Sequence, residues 1–529
     1  MAFNLIQAGS NLYSANTAGG ISSALTLPTG VTLSKNRRPR MTRFGRYVIV
    51  VNSPSRPLSV DDLGTVRPLT PLPPTNVPVL AGETGGSLSG AFLIKQTFLF
   101  LDAVGNVIAE SDYGPLPQNA VTLSSQYLRV TNISLSADTS AISATRLYRT
   151  TAGPGSAYFP WAKIEGNTQT RYRDDLSDAG IQLIAGPALG SAPDLTLIAE
   201  WKGRLWGVDR QKFDDLRYTE PGTMYGWSAF NTLPIAHVGD DRFGVLGLVP
   251  RRDVLCVGRQ NRLVQVAGTT RSDIRPIGAV ESVGFLSQES ISTYRDTIWF
   301  LWRDGVYEWG NDGVVCVSDR AHVRSWFQSD SYFNRAMFSQ AFSTFDPLTL
   351  SYRLFLASAG SITIDRWVEY NLKTGKFYGP HKTLAFMPSS AFLLRGADDQ
   401  LYPIVGSREG FLSYDDVTRT DWGLTPVPMR VEMIGNDLDD PDVEKYFGQL
   451  SVFTEPEPAG GLTVTALTGD FDKEVVTSTM THDLRLSRGR LNRVGNGKNA
   501  VLVFENNQIG QPVTIYGYEI EPVHVLGRR

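Results

Sequence analysis

The sequence is poor in cysteine, histidine and charge. Cys256 and Cys316 are the two cysteines among 529 residues, and both lie in apolar stretches. We therefore expect buried thiols rather than a disulfide scaffold, which suits folding in a reducing cytoplasm. Charged residues make up 19% of the chain, below the usual ~25%, although the apolar share of 42% excludes disorder. The histidines are widely scattered and lack the spacing of metal ligands: His237, His322, His381, His482 and His524.

Long hydrophobic runs are also missing. No segment approaches the roughly 18 apolar residues of a membrane span, so we expect no stable membrane insertion. The start, MAFNLIQAGSNLYSA, lacks the basic and apolar regions of a signal peptide. A net charge of −3 gives no electrostatic case for a nucleic-acid binder.

Motifs that carry chemistry are absent as well. The chain has no Gly-x-Ser-x-Gly elbow, His-Glu-x-x-His pair or Walker phosphate loop, and it has no sialidase Asp-box or WD40 dipeptide. The glycine run 495–500 lies in strand-like sequence, which predicts a hairpin turn instead of a dinucleotide site. The acidic segment 436–442 lacks the spacing of a calcium loop and is interpreted as a solvated loop. We expect no catalytic residue, no cofactor and no metal.

What the chain does contain is a recurring aromatic hairpin unit. It is plainest in DTIWFLWRDGVYEWGNDGVVCV, residues 296–317, where two aromatic runs meet at Arg303-Asp304-Gly305 and the turn 310–313 leads to a third strand. Short aromatic and β-branched runs broken by Gly, Asp and Asn are typical of hairpins. Weaker copies occur at 43–52, 200–209, 257–268, 351–358 and 399–416.

The spacing of these units indicates a β-propeller. Aligning the units on one position of each gives a mean interval of 49 residues, and a four-stranded blade takes roughly 40–50. The intervals are 58, 36, 55 and 47 residues, between Leu205, Leu263, Trp299, Leu354 and Leu401. An ordinary sandwich with aromatic strands explains one unit equally well, but it explains five or six less readily. The sequence leaves the blade number open between five and seven.

The regions flanking these units predict further β modules. Short strands are expected at 25–33 and 43–52, followed by a proline-rich linker at 65–82. Residues 144–181 and the strands before them, with LYRT at 147–150 and TRYRDDLSDAGI at 170–181, resemble the fibronectin type III-like insertions of bacteriophage structural proteins. Period-two alternation after Asp421 predicts a separate sandwich.

The predicted fold class is therefore all-β. It comprises a β-propeller, an inserted fibronectin type III-like or immunoglobulin-like sandwich and a C-terminal β-sandwich. The expected boundaries are 1–65 for the first part of the propeller, 66–192 for the insertion with its linker, 193–420 for the remainder of the propeller and 421–529 for the C-terminal domain.

Propellers also include glycosidases and lectins, so two alternatives stay open. A glycosidase needs two suitably placed carboxylates. The loop acids to inspect are Asp209, Asp214, Asp215, Asp240, Asp241, Asp304 and Glu308. A glycan-binding propeller would instead use exposed aromatics, for which the candidates are Trp201, Trp206, Trp227, Trp302 and Trp367.

Two groups of basic residues are candidate interaction sites. They lack the interleaved aromatics of nucleic-acid stacking surfaces. The groups either pair with acids across a subunit boundary, which arginine geometry favours, or line a passage for DNA. The first group is Lys35, Arg37, Arg38, Arg40, Arg43 and Arg46, and the second is Arg485, Arg488, Arg490 and Arg493.

A propeller, a fibronectin-like insertion and a C-terminal β domain from KYFGQLSVFTE to GYEIEPVHVLGRR together resemble the tail nozzle proteins of short-tailed bacteriophages, also called tail tubular protein B or phage stabilisation proteins. The resemblance implies a homohexameric tube below the portal and adaptor, assembled in the host bacterial cytoplasm and located in the virion tail. It implies a structural role without catalysis, with an adaptor protein and fibres or spikes as partners. Genomic double-stranded DNA would be retained and conducted without sequence-specific binding.

Overall fold

The structure is a computed structural model in which strands dominate and helices are short. Two compact units are separated at residues 382–413, the first made mostly of residues 1–381 and 388–406, the second mostly of residues 413–529. The described residues are 4–15, 20–52, 56–102, 104–117, 119–137, 143–153, 157–182, 190–235, 244–382, 387–396, 398–410, 412–414, 421–422, 425–426, 429–433, 442–470, 473–508, 511 and 513–528.

The chain begins with a hairpin and then forms a complete sheet. Strands β1 (Asn4–Ala8) and β2 (Asn11–Ala15) pair with each other. The first blade then follows in the order β3-β4-β5-β6. Its bounds are β3 Arg40–Phe44, β4 Tyr47–Val51, β5 Leu58–Val60 and β6 Val66–Pro68.

An inserted module follows the first blade. One sheet has the order β13-β10-β7 and the other β12-β11-β8-β9, and a buried cluster with Phe92, Leu128 and Leu147 packs between them. Seven strands in two packed sheets are typical of an immunoglobulin-like sandwich. The bounds are β7 Val79–Phe92, β8 Ile94–Leu101, β9 Val107–Glu110, β10 Val121–Thr131, β11 Ser143–Thr150, β12 Tyr158–Glu165, β13 Tyr172–Asp174 and helix α1 Asp178–Gln182.

Polar contacts fix the module internally and at its ends. The fully buried Arg149 guanidinium lies 2.8 Å from Asp174 and from Asp178, so the buried charge is compensated. Asp112 accepts hydrogen bonds from Arg56, at 3.0 Å, and from the Ser191 hydroxyl, at 2.5 Å. Since Arg56 precedes the module and Ser191 follows it, the entering and leaving segments are held at one place.

Four further four-stranded blades follow the module in chain order. In each blade the strands pair in sequence order, as in β-propellers. The second blade is β14 Leu195–Trp201, β15 Arg204–Asp209, β16 Asp215–Tyr218 and β17 Thr232–Pro234, and the third is β18 Gly247–Pro250, β19 Leu255–Gly258, β20 Arg262–Ala267 and β21 Arg275–Glu281.

The fourth blade is β22 Ser292–Tyr294, β23 Thr297–Trp302, β24 Gly305–Gly310 and β25 Gly313–Cys316; the fifth is β26 Phe342–Asp346, β27 Ser351–Leu356, β28 Arg366–Asn371 and β29 Lys376–Lys382. Short helices lie beside these blades: the 3₁₀ helices Gln288–Ser290 and Arg335–Gln340, with α2 Val317–Arg320 and α3 Ser325–Gln328 between them. A three-stranded sixth sheet contains β30 Pro388–Arg395, β31 Leu401–Ser407 and β32 Leu412–Tyr414.

Side chains join each blade to the next. The Trp201 indole N–H donates to the Arg251 carbonyl at 3.0 Å, between the second and third blades. The Trp302 indole N–H donates to the Gln260 carbonyl at 2.9 Å, between the fourth and third. The hydroxyls of Ser292 and Ser343 lie 2.8 Å apart, between the fourth and fifth. The β-propeller prediction is confirmed, with six sheets among the described residues.

The second compact unit is a β-sandwich, as predicted. Its two sheets have the orders β35-β41-β37-β38 and β39-β36-β40, with β42 also paired to β36, and they enclose a core that includes Phe447, Val464 and Phe504. A short hairpin precedes it. The bounds are β33 Asp421–Trp422, β34 Thr425–Pro426, β35 Met429–Glu432, β36 Val443–Thr454, β37 Gly461–Asp470, β38 Lys473–Asp483, β39 Arg488–Leu491, β40 Gly495–Gly497, β41 Asn499–Asn506 and β42 Ile515–Arg528.

Two expectations from the sequence were wrong in detail, and one strand was missed. Residues 25–33 form no strand; they lie as irregular chain whose leucines pack on the first blade, since no neighbouring edge pairs with them. The proline-rich segment 65–82 is only partly a linker, because Val66–Pro68 is the edge strand of the first blade, where a proline is tolerated. Strand β38 was not predicted, because its Ser and Thr residues mask the alternation. The acidic segment 436–442 lies outside the described residues except for Asp442.

His381 is a half-buried titratable group in the fifth blade. Its ring packs against Trp367 with a centroid distance of 4.2 Å and an interplanar angle of 32°. Burial, and then the nearby Arg353 guanidinium, lower the pKa of His381 from 6.5 to about 4. The folded protein therefore keeps this imidazole neutral at a pH where the unfolded chain protonates it.

We predict that lowering the pH through 6.5 toward 4 destabilises the first unit through His381. The unfolded chain binds a proton that the folded chain does not, so the folded state loses up to about 3 kcal/mol of free energy of unfolding by pH 4. His381→Phe should flatten this pH dependence in denaturant titrations between pH 4 and 7. The exposed His322→Asn variant is the control, and an unchanged slope in His381→Phe would contradict the assignment.

Candidate functional site

Two members of the first basic group, Arg38 and Arg40, contact residues at distant blades. Arg40, on β3, forms an ion pair with Glu289, which lies in the 3₁₀ helix before the fourth blade. The Arg38 guanidinium lies 4.6 Å from the ring centroid of Phe342, the first residue of the fifth blade. The Ser287 hydroxyl donates to Glu289 at 2.7 Å and orients its carboxylate. These contacts connect the first blade to the fourth and fifth blades within one chain.

The charge of Arg40 is retained in this setting. Burial, and then the neighbouring Arg38, lower the pKa of Arg40 to about 10, which leaves the guanidinium protonated at neutral pH. Arg38 and Arg40 are therefore engaged within the chain. The other members of the group have exposed side chains: Lys35, Arg37, Arg43 and Arg46. Of these, Arg43 donates a hydrogen bond to the Gly45 carbonyl, and Arg46 donates one to the Tyr47 hydroxyl.

The second basic group lies on the C-terminal sandwich and is exposed. Arg485 pairs with Asp483 at 2.6 Å, and Arg488 donates to the Ser451 hydroxyl at 2.8 Å. The Arg493 guanidinium lies 5.8 Å from the Tyr446 ring centroid, while Arg490 is exposed on β39. The group is thus spread along the β38–β39 turn and the strand that follows. Contact of either basic group with another chain or with DNA stays a prediction.

Most of the described loop acids are paired with arginines. Asp214 pairs with Arg259 and joins the second blade to the third. Asp304 pairs with Arg324 and also accepts from the Tyr307 hydroxyl at 2.9 Å. Asp209 lies 3.6 Å from Arg217, and Glu308 lies 3.6 Å from Arg320. Asp215 lies on β16. Asp240 and Asp241 fall outside the described residues. Four of these carboxylates are therefore engaged in ion pairs within the chain.

The tryptophans proposed as glycan platforms are packing residues. Trp201, Trp206 and Trp227 are buried, and the indole N–H of Trp227 donates to the Met224 carbonyl at 3.0 Å. Trp302 and Trp367 are half-buried against Tyr307 and His381. Among the tryptophans whose side chains the structure describes, none is exposed. None of the five candidates is therefore a fully exposed indole.

The cysteines and the histidines form no reactive or metal-binding group in the described part of the chain. Both thiols are free; burial raises the pKa of Cys256 to about 12, which keeps it protonated. No cluster of three or more potential metal ligands occurs among the described residues. His237 lies outside them. None of the described helices has the length and apolar character needed to cross a membrane.

A feature that the sequence analysis missed is the apolar character of the outermost strands. All but one residue of β21 are exposed, including Ile277, which is 52% exposed. Val315 on β25 and Tyr378 on β29 are also exposed. These residues lie on the last strands of the third, fourth and fifth blades. Each of these strands is the last of its sheet among the described strands, so an exposed apolar residue recurs at the edge of three successive blades.

The comparisons with known proteins identify no family for this chain. No protein-family model and no curated protein matches the chain. Among solved structures, PorZ of Porphyromonas gingivalis, a surface component of the type-IX secretion system, is 10% identical with a TM-score of 0.26, over 98% of this chain and 86% of that one.

Two glycoside hydrolases are also among the solved structures. An arabinoxylan arabinofuranohydrolase of Bacillus subtilis is 8% identical with a TM-score of 0.21, over 76% of this chain and 93% of that one. An exo-beta-1,3-galactanase of Phanerochaete chrysosporium is 8% identical with a TM-score of 0.18, over 94% and 99%. Likenesses this weak carry no argument about function.

We predict that Arg40→Met destabilises the propeller more than Arg43→Met on the same strand. Removal of Arg40 leaves Glu289 without its cation, at a cost of about 1–3 kcal/mol, whereas Arg43 is exposed. Denaturant unfolding of both variants measures the difference. In a double-mutant cycle, Arg40→Met with Glu289→Gln should cost less than the sum of the single changes, and additive effects would show that the pair is not coupled.

Proposed function

We propose that this chain is a structural virion protein, the tail nozzle subunit of a short-tailed bacteriophage. In this proposal six copies form a tube below the portal and adaptor, retain and conduct the genomic double-stranded DNA, and anchor fibres or spikes. The copies are assembled in the host bacterial cytoplasm and act in the virion tail. The module order supports the proposal: a propeller interrupted after its first blade by an immunoglobulin-like module and followed by a β-sandwich.

The observation that carries the proposal is the position of the exposed apolar and charged side chains in the fold. Ile277, Val315 and Tyr378 lie on outer blade strands, where contact with a neighbouring copy would cover them. Association of this kind is expected of a protein that functions through its copies rather than through a reacting group. In a ring, these edges would meet a different surface of the next copy, which is the heterologous contact that closes by rotation.

The same proposal accounts for both kinds of residue in the first basic group, those that contact other blades of the same chain and those that are exposed. Arg38 and Arg40 contact Phe342 and Glu289 within the chain, so DNA would pass between copies and not along the axis of one propeller. The exposed Arg37 and Arg43 are then the members available to another chain or to phosphate groups. Exposed arginines spaced along a wall attract phosphates without reading bases.

A carbohydrate-directed propeller is the competing hypothesis, either as a glycan-binding module or as a glycosidase. Propellers serve both purposes, and the sequence left both open. The arginine partners of Asp214 and Asp304 and the buried tryptophans weigh against it. We therefore propose that the chain is not an enzyme.

We predict that the purified protein forms six-membered rings, alone or with the adaptor of the same phage. Mass photometry should give a species of about 350 kDa for six copies of the 58.2 kDa chain, and negative-stain images should show a central opening. Ile277→Glu with Tyr378→Glu should reduce ring formation, and Leu63→Glu, an exposed change on the first blade, is the matched control. A chain that stays monomeric with adaptor present would count against the proposal.

We predict no turnover of fluorogenic glycosides above that of heat-denatured protein. Asp214→Asn and Asp304→Asn should instead lower the unfolding temperature, since each removes a carboxylate that pairs with a buried or half-buried arginine. Thermal melts and glycosidase assays on the same preparations separate the two effects. Turnover that disappears in either variant while its melting temperature is unchanged would support the glycosidase hypothesis instead.

A further inference from the structure

Strand β38 is a long sheet edge in the C-terminal sandwich. Among the described strands it pairs with β37 alone, and it is the last strand of its sheet. Val475 and Val476 on this strand are 63% and 59% exposed. The side of β38 that faces away from β37 thus offers unpaired backbone groups beside two apolar side chains.

This edge lacks devices that protect two other edges of the same domain, those of β42 and β35. Strand β42 has Glu519, Glu521 and Pro522 in its middle, and β35 is four residues long with Arg430 and Glu432. The sequence of β38 contains no proline, and no charged residue stands between Glu474 and His482. Charges and prolines on an edge prevent strand addition, so β38 is the edge at which addition is least opposed.

An irregularity in the ladder determines which residues of β38 share a face. The register shifts after Ala466, so that Val476 lies opposite Leu467 while Thr479 lies opposite Thr465. All four line a depression of about 290 Å³ on the outer face of the sheet. Met480 lies opposite the core residue Val464, and the exposed Val475 lies opposite Thr468, whose other cross-strand partner is the core residue Ala500, so both are on the core side of the sheet. Before the shift the odd-numbered residues of β38 are on the core side, and after it the even-numbered residues are.

We propose that β38 pairs with β38 of a second copy of this chain, antiparallel about a two-fold axis between Thr477 and Ser478. In this register Val476 lies opposite Thr479 of the other copy, both on the outer face. Val475 lies opposite Met480, both on the core side, and no two charged residues face each other. Residues directly opposite each other must lie on the same side of a sheet. The register shift within β38 places both residues of each pair on the same side, so the self-pairing is geometrically possible. A two-fold contact of this kind is closed.

The pairing joins two four-stranded sheets into one of eight strands. It satisfies the free backbone edges of both copies and covers Val475 and Val476. The contact uses the C-terminal sandwich and does not depend on the ring of the proposed function, which is attributed to the outer blade strands. A two-fold contact alone produces pairs of chains.

The first test is the mass of the full chain in solution. In a preparation that contains no rings, light scattering coupled to size-exclusion chromatography should give a concentration-dependent dimer of about 116 kDa. Val476→Lys should weaken dimerisation by about tenfold or more, because edge lysines oppose strand addition. Val104→Lys, at an exposed position of the inserted module outside both proposed surfaces, is the matched control and should leave the dimer unchanged. Equal dimerisation in Val476→Lys, or a wild-type monomer at every concentration, would overturn the inference.

The second test fixes the register. A mixture of Val476→Cys and Thr479→Cys chains, treated with oxidised glutathione, should give a disulfide-linked dimer in far higher yield than either chain alone, because residue 476 of one copy lies opposite 479 of the other. Equal yields in the mixture and in the single variants would overturn the register. Rings that persist in Val476→Lys while this dimer is lost would leave the proposed function intact, and loss of rings with an intact dimer would contradict that function alone.

Discussion

The arrangement of the first unit depends on one constraint: the first blade must be held by residues that follow it by hundreds of positions. Arg40 pairs with Glu289, and Arg38 packs on Phe342, across a stretch that contains the whole inserted module. Contacts between residues so far apart cost chain entropy before they form. The partner blades are local hairpins that can form early, so we interpret the first blade as the piece that completes the ring of sheets.

Local pattern predicted the blades well, and the exception has a physical reason. The aromatic unit at 296–317 forms β23, β24 and β25 as expected. Leu205, Trp299, Leu354 and Leu401 all lie on the second strand of their sheets, but Leu263 lies on the third strand of its own. Leu255 is on the second strand of that blade, and its use changes the intervals of 58 and 36 to 50 and 44. Both strands carry similar apolar residues, so sequence alone did not distinguish them.

The roles of charged residues were harder to predict, because their partners are distant in sequence. Alternation along β3 separates Arg40 from Arg43, and it was available from the sequence. The identity of Glu289 as the partner of Arg40 was not, since it depends on how the blades pack. The sequence offered Asp214 and Asp304 as loop acids of a possible glycosidase, yet both pair with arginines. Strand β38 was missed for another reason: its threonines and serines carry little periodic signal.

The inserted module enters after β6 and leaves before β14, so it lies between two complete sheets. No ladder hydrogen bond of the propeller has to cross it, and the clasp at Asp112 brings its two ends together. A module of another size, or a short loop, could therefore occupy this position without altering the strand register of any propeller sheet. Variation among related chains is therefore expected to concentrate in this module, where recognition could diversify while the scaffold stays constant.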